Sequence, residues 1–293
     1  MKVTIFTRFW MCCVLFAASV VNSLAADRLV IIGDAVWGGW SINDGIIMSS
    51  TSNDVWKATT HLEADKGFKF LTTNNFGGLE YRAGDSDVTL AVDEATNLVS
   101  SEDNSKDNKF MVSESANYNI VCDLANKTIT VSKADYQDNA IKYNALWMVG
   151  SATSGGWSID QGTQLSQDAT NPLVYTATTY LSTGEFKVAT NKYRAFDQDF
   201  FMRDANDDSK VVLGGDDSKW NITEAGTYDV ALNTADMTIS IVKNVPSSIS
   251  SVEAEVNAPV EYFTLDGKRV NNISAKGLYI KRQGGKAVKV VVE

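Results

Sequence analysis

The sequence predicts an all-β fold: tandem antiparallel β-sandwich (Ig-like) modules followed by a small C-terminal β unit. Three observations carry this reading. The segment Gly-Gly-Trp-Ser-Ile occurs twice, at 38–42 and at 155–159. Apolar residues alternate with polar ones at a period of two, as in Trp56-Lys57-Ala58-Thr59-Thr60-His61-Leu62 and Tyr118-Asn119-Ile120-Val121-Cys122-Asp123-Leu124. No sustained helical period occurs, and Gly, Asn and Asp separate the short β-rich runs, which is the turn chemistry of an antiparallel sandwich.

Residues 1–25 read as a secretory leader. Lys2 and Arg8 precede an apolar run from Phe9 to Val21, and Ser23-Leu24-Ala25 supplies small residues for cleavage. That run is too short to span a bilayer comfortably, and no later stretch reaches the roughly 18 apolar residues of a transmembrane helix. The expectation is an exported chain, at the cell surface, in the outer membrane or released. Cys12 and Cys13 leave with the leader, and neither follows a Leu-Ala-Gly lipobox pattern. Cys122 then remains without a disulfide partner and aligns with Leu232, the position of a buried apolar residue.

The repeat divides the remaining chain into module 1 over 27–135 and module 2 over 141–244. Leu29-Val30-Ile31-Ile32-Gly33 returns as Leu146-Trp147-Met148-Val149-Gly150 at an offset of 117, the same offset as the two GGWSI segments. Val55 to Leu62 matches Val174 to Leu181, Phe68-Lys69 matches Phe186-Lys187, and both copies reach a Thr-Asn pair, Thr73-Asn74 and Thr190-Asn191. Tyr118 to Lys133 matches Tyr228 to Lys243 at an offset of 110. About seven strands per copy are expected, each copy closing on a hairpin, at 123–128 and at 232–239. The acidic stretch 100–108 reads as a solvated loop. A linker at 245–258, rich in Ser after Pro246, leads to a β unit at 259–293 with a tight turn at Asp266-Gly267.

Composition narrows the function. The 26 Lys and Arg against 36 Asp and Glu give a net charge of −10, which becomes −12 when Lys2 and Arg8 are lost, so a nucleic-acid partner is excluded on charge. One His, His61, excludes sites that need two imidazoles, and the Cys positions form no CxxC pair. Neither a cofactor nor a metal site is expected.

The strand ending in Gly, the GGW loop, the Tyr/Trp strand, the G-x-FK strand and the Thr-Asn pair together resemble the tandem modules of SusE/SusF-type starch-binding outer-membrane proteins. The resemblance spans about 27 to 243. It implies a loop Trp stacked on glucose, a strand Lys bonded to sugar hydroxyls and a further loop aromatic. These fall on Trp40, Lys69 and Phe76 or Tyr81 in module 1, and on Trp157, Lys187 and Tyr193 or Phe196 in module 2. It also implies an outer-membrane glycan-uptake complex as a partner. The tail, with Tyr262-Phe263-Thr264-Leu265-Asp266-Gly267-Lys268 and Gly277-Leu278-Tyr279-Ile280, resembles the end of type IX secretion C-terminal sorting domains.

The chemistry of sugars favours the same residue types. A pyranose has a face of C–H groups and a rim of hydroxyls, so its site needs a flat exposed aromatic with fixed donors at the edge. The glycines before each Trp leave room for a ring against it. Charged hydrogen bonds contribute about 1.5–3 kcal/mol each, so a small site is weak and two modules on one polymer gain avidity. Trp37 has no aromatic counterpart in module 2 and is either an extra platform or a private packing contact. The competing reading makes Trp40 and Trp157 sandwich plugs and Lys69 and Lys187 solvated, in a structural or adhesin-like surface protein whose modules are spacers. Trp56, Tyr175, Phe110 and Trp220 read as core. Asp197, Asp199, Asp204, Asp207 and Asp208 form a turn-rich loop without EF-hand spacing, and GxSxG, P-loop and dinucleotide motifs are absent. The expectation is a non-catalytic polysaccharide-binding protein for an α-glucan.

Overall fold

The computed structural model describes residues 26–52, 54–101, 106–244, 259–284 and 286–292. The expected leader and the 245–258 linker lie outside the described residues, as does part of the acidic stretch at 102–105. Among the described residues no helix is long and apolar enough to cross a membrane.

Module 1 is built from two five-stranded sheets. One runs in the order Ile46–Ile47, Val30–Ile32, Lys69–Leu71, Glu80–Arg82, Val99–Ser101, and the other Ser49–Ser52, Val55–Leu62, Ala116–Asp123, Thr128–Lys133, Thr96–Asn97. Inward residues of the first, Ile31, Phe70 and Tyr81, pack with Trp56, Ala58, Ile120, Cys122 and Val131 of the second. Cys122 is a buried free thiol, pushed up from its ordinary pKa by burial. Among the described residues more strands form than the expected seven: 88–101 adds three short ones, Val88–Thr89, Thr96–Asn97 and Val99–Ser101, Phe110–Met111 is another, and one strand is split into Ile46–Ile47 and Ser49–Ser52.

In module 2 one sheet bends over on itself. Thr163–Gln167 pairs with Ala145–Val149 along one edge and with Val174–Leu181 through Ser166 and Gln167 along the other, joining the two layers. The corresponding strand of module 1 is interrupted between Ile47 and Ser49. Gly226–Asn233 and Thr238–Lys243 form the expected hairpin, and Asn233 Oδ1 accepts the Ala235 and Asp236 amides in its turn. The tail is a four-stranded sheet, Arg269–Val270, Val260–Thr264, Gly277–Gln283, Lys286–Val292, with Gly267 at φ 82° in the turn.

The two modules share a third core. Val30 and Ile47 of module 1 pack with Ala145, Trp147, Val149, Ile159, Ala189, Phe200 and Met202 of module 2. Strands Val30–Ile32 and Ala145–Val149 are therefore buried on both faces, which explains why they read as unbroken apolar runs rather than alternating ones. Polar side chains close the seam. Asn144 Oδ1 accepts the Thr59 amide at 3.0 Å, and its Nδ2 donates to Ile47 O at 3.0 Å. Gln167 Nε2 donates to Thr59 O at 3.1 Å and to Tyr143 O at 2.8 Å. The connecting residues are tied down by buried Asn117, whose Nδ2 donates to Tyr136 O and Asn139 O while its Oδ1 accepts the Ile141 amide.

Candidate functional site: two lysine and aromatic platforms

The GGW loop has one geometry in both modules. At the first glycine a Cβ would lie 2.4 Å from Asp44 O in module 1 and 2.2 Å from Gln161 O in module 2, so only Gly fits. The second, Gly39 or Gly156, sits at φ 58° with open space above it. Its carbonyl accepts the amide of the strand-ending glycine, Gly33 at 2.9 Å or Gly150 at 2.8 Å, which pins the loop to the sheet. The Trp that comes next is held at the rim of the sheet: Trp40 is half-buried and Trp157 is 36% exposed.

Period-two alternation directs Lys69 and Lys187 away from the inward Phe68, Phe70 and Phe186 to the outer face of the sheet. They are not solvated there; each is only 6% exposed. A buried ammonium needs an acid partner. Lys69 Nζ donates to Glu80 Oε2 at 2.6 Å and Asp107 Oδ1 at 2.9 Å, and Lys187 Nζ donates to Asp217 Oδ1 at 2.9 Å. Burial alone would lower the Lys69 pKa, but Glu80 and Asp107 outweigh it and hold it above its ordinary value. Burial works against ionised Asp107, yet its bonds to Lys69 and Lys109 keep its pKa below the usual carboxylate range; Lys219 and then Lys187 do the same for Asp217.

A second lysine completes each site. Lys109 Nζ lies 5.5 Å from the Trp40 ring centre and 2.9 Å from Asp107 Oδ2, and Lys219 Nζ lies 5.8 Å from Trp157 and 2.8 Å from Asp217 Oδ2. Sequence reasoning missed these residues. The signal was Asp107-x-Lys109-Phe110 returning as Asp217-x-Lys219-Trp220 at the same offset of 110 that relates the final hairpins.

The modules differ beside the strand lysine. In module 2, Phe196 is 53% exposed, stacks on Phe200 at 5.8 Å and lies 6.4 Å from Trp157, so three rings form one cluster, two of them against Lys187. Lys187 Nζ is 4.0 Å from the Phe200 ring centre and 5.1 Å from that of Phe196. In module 1, Phe76 is 48% exposed and lies 5.7 Å from Lys69 Nζ, but the register position of Phe200 holds Glu80. Of three ammonium donors, Lys69 commits two to carboxylates and Lys187 one. Glu80 Oε1 is enclosed without a hydrogen-bond partner.

Three of the residues singled out from sequence stand elsewhere. Tyr81 is 8% exposed in the module 1 core, because its neighbours Glu80 and Arg82 take the outward positions of that strand. Tyr193 packs at the inter-module core with the Arg28 guanidinium 4.2 Å above its ring, and its carbonyl accepts from Asn74 Nδ2. Trp37 stays 43% exposed while touching the connection between modules: its Nε1 donates to Lys142 O at 2.6 Å and its ring meets Tyr143 edge-on at 5.3 Å. In the acidic loop, Asp204 and Asp207 accept backbone amides of their own turns, Asp208 pairs with Arg203, and Asp197 pairs with Arg194.

Comparison with known proteins bears on module 2. No curated protein matches the chain. Among solved structures, SusF from Bacteroides thetaiotaomicron aligns with 88% of this chain and 57% of its own, at 13% identity and a TM-score of 0.31. This chain thus corresponds to little more than half of that protein's length. Residues 145–240, which carry Trp157, Lys187, Phe196, Asp217 and Lys219, match the family model described as SusF/SusE starch specific CBMs.

Proposed function

We propose that this is an exported, non-catalytic protein that binds an α-glucan of the starch type, with module 2 as its principal site. The observation that supports it most is the grouping of exposed Trp157 and Phe196 around Lys187, whose Nζ keeps two donors for hydroxyls. A glucose ring stacks on the exposed aromatic surface, displacing water from two apolar faces, while its rim meets Lys187 and the Asp217 carboxylate. The family match over 145–240 supports the same ligand class. Trp40, Lys69 and Phe76 form a second, weaker platform, since Lys69 is already bound by two acids. The shared core holds both platforms on one body, so a long glucan engages them without the entropy cost of ordering a flexible linker. The tail, in this reading, is an address or docking unit that places the protein at the cell surface, beside a glycan-uptake complex, or outside the cell.

A second reading, the spacer, is favoured for module 1 by the two acids that hold its lysine. Depletion of the protein from solution by insoluble starch, compared with cellulose and with xylan, separates the two. The proposal expects retention on starch that soluble maltooligosaccharide reverses; no retention on any polymer would leave both modules as spacers.

A further inference from the structure

The two modules treat one edge of the sandwich differently. In module 1, residues 88–93 run as an extended strap between the layers. Val88–Thr89 pairs in parallel with Phe110–Met111, and Val92 bridges Val131 in parallel. The strap makes three rungs: the amides of Val88, Leu90 and Asp93 donate to the carbonyls of Lys109, Met111 and Val131 at 2.8–2.9 Å. Its Leu90 is 3% exposed and its Val88 packs against the core, with Asp87 before them accepting the Lys109 amide at 2.8 Å.

Among its described residues, module 2 has no such strap. The residues at the offset of 110 are Lys219, Asn221 and Ile241. Between their strands, Trp220–Ile222 and Thr238–Lys243, lies an open cavity of about 1020 Å³, lined on its apolar side by Trp220, Ile222, Tyr228, Ile239 and Ile241. The Lys219 carbonyl is taken by Arg203 Nε at 3.0 Å, so a side chain stands in for the first rung. Pairing of Ile241 with Val230 repeats that of Val131 with Ile120, which turns the Ile241 carbonyl to the gap as the Val131 carbonyl is turned to the strap. Residues 209–211 pair with the Met237 to Ile239 end of this edge; beyond them an open edge at Ile241 stands beside a trough of mixed apolar and polar lining, the arrangement that recruits an added strand.

We propose that this edge of module 2 docks an extended segment of a partner protein, an acidic residue followed by apolar residues at alternate positions, which completes the sandwich as residues 88–93 complete module 1. The acidic lead follows Asp87 of the module 1 strap; the corresponding end of the gap is bordered by Lys219 and Arg203, which pair with Asp217 and Asp208, so an incoming carboxylate has to share these cations with them. The paralogous strap of module 1 defines the occupant's chemistry and its direction, parallel to Thr238–Lys243. Glucan binding uses the outer face of the Gly184–Ala189 sheet and the gap lies on its core side; Lys219 borders both.

The test uses the mature full chain and a fluorescent synthetic peptide with the sequence of residues 86–95, beside a scrambled peptide of the same composition. Saturable binding of the ordered sequence is expected, with a change in tryptophan emission from Trp220. Ile241 lines the gap on its core-facing side, and Ile241→Trp should weaken binding at least about tenfold by filling it, with folding checked by circular dichroism; Ile241→Glu should do so more strongly. Equal binding of the scrambled peptide, absence of saturable binding, or binding that both Ile241 substitutions leave intact would overturn the proposal. Competitive displacement of the peptide by maltoheptaose would also overturn it, since the cavity would then belong to the sugar.

Discussion

Glu80 and Phe200 occupy the same register position of the two modules, and they give the strand lysines opposite neighbours: a carboxylate 2.6 Å from Lys69, and an aromatic face 4.0 Å from Lys187. One substitution between duplicated modules thus separates a lysine with two donors held by acids from one with a single donor held. Replacing Glu80 with Gln removes the buried charge and leaves Asp107 as the partner of Lys69. Glu80→Gln should strengthen glucan binding by module 1, measured in a Trp157→Ala background, while lowering stability by about 1–3 kcal/mol. Phe200→Glu should weaken module 2. If Glu80→Gln leaves module 1 unchanged, the acid is not what limits it.

The pH dependence comes from the two aspartates. Asp107 and Asp217 have folded pKa values below the ordinary 3.8, so their contribution is complete above that value and is lost as pH falls through the lowered one. Lys69 is raised above 10.5, so its share is complete below that value and is lost as pH rises through the raised one. Stability and glucan affinity, measured by calorimetry across pH, should be level from about pH 5 to pH 9 and fall below about pH 4. A fall centred near neutrality would implicate some other group.

The seam between modules should make them unfold together. Trp147 is 2% exposed in the shared core, and Trp147→Ala should cost about 3–5 kcal/mol and split one calorimetric transition into two. Asn144→Ala removes the bonds to Thr59 and Ile47 and should act in the same direction by about 1–3 kcal/mol. Two transitions in the unaltered chain would mean that the shared core does not couple them.

The paired glycines predict unequal costs. Gly156→Ala meets no atom within 4 Å but keeps φ at 58°, a cost of about 1–2 kcal/mol. Gly155→Ala drives a Cβ to 2.2 Å from Gln161 O, so the loop must move and carry Trp157 with it. Gly155→Ala should therefore reduce both thermal stability and glucan affinity more than Gly156→Ala, as melting and titration will show.

Much of the architecture was legible because duplication prints the same pattern twice. The GGWSI repeat located both loops, and alternation placed Lys69 and Lys187 opposite the inward phenylalanines. Burial of the lysines was not legible, because the acids that permit it lie 11, 38 and 30 residues further on: Asp107 fell in a stretch read as solvated loop, and nothing in the sequence singled out Glu80 or Asp217. The shared core was missed for a related reason. Apolar runs such as Leu29-Val30-Ile31-Ile32 carry the mark of a strand buried twice, but a run alone does not say what covers its second face. Tyr193 and Tyr81 show the limit for aromatics: each suits a platform by type, and only the seam or the core places it elsewhere.

In the proposed function, Trp157, Phe196 and Lys187 form the principal glucan site. Calorimetric titration with maltoheptaose puts this to the test, using the mature parent protein, Trp157→Ala, Lys187→Ala and Trp40→Ala, with folding checked by circular dichroism. Trp157→Ala and Lys187→Ala should each weaken binding at least about tenfold, consistent with loss of a stacking face or a charged hydrogen bond, while Trp40→Ala has a smaller effect. Binding that survives both module 2 substitutions in folded protein and is lost with Trp40→Ala would contradict the assignment.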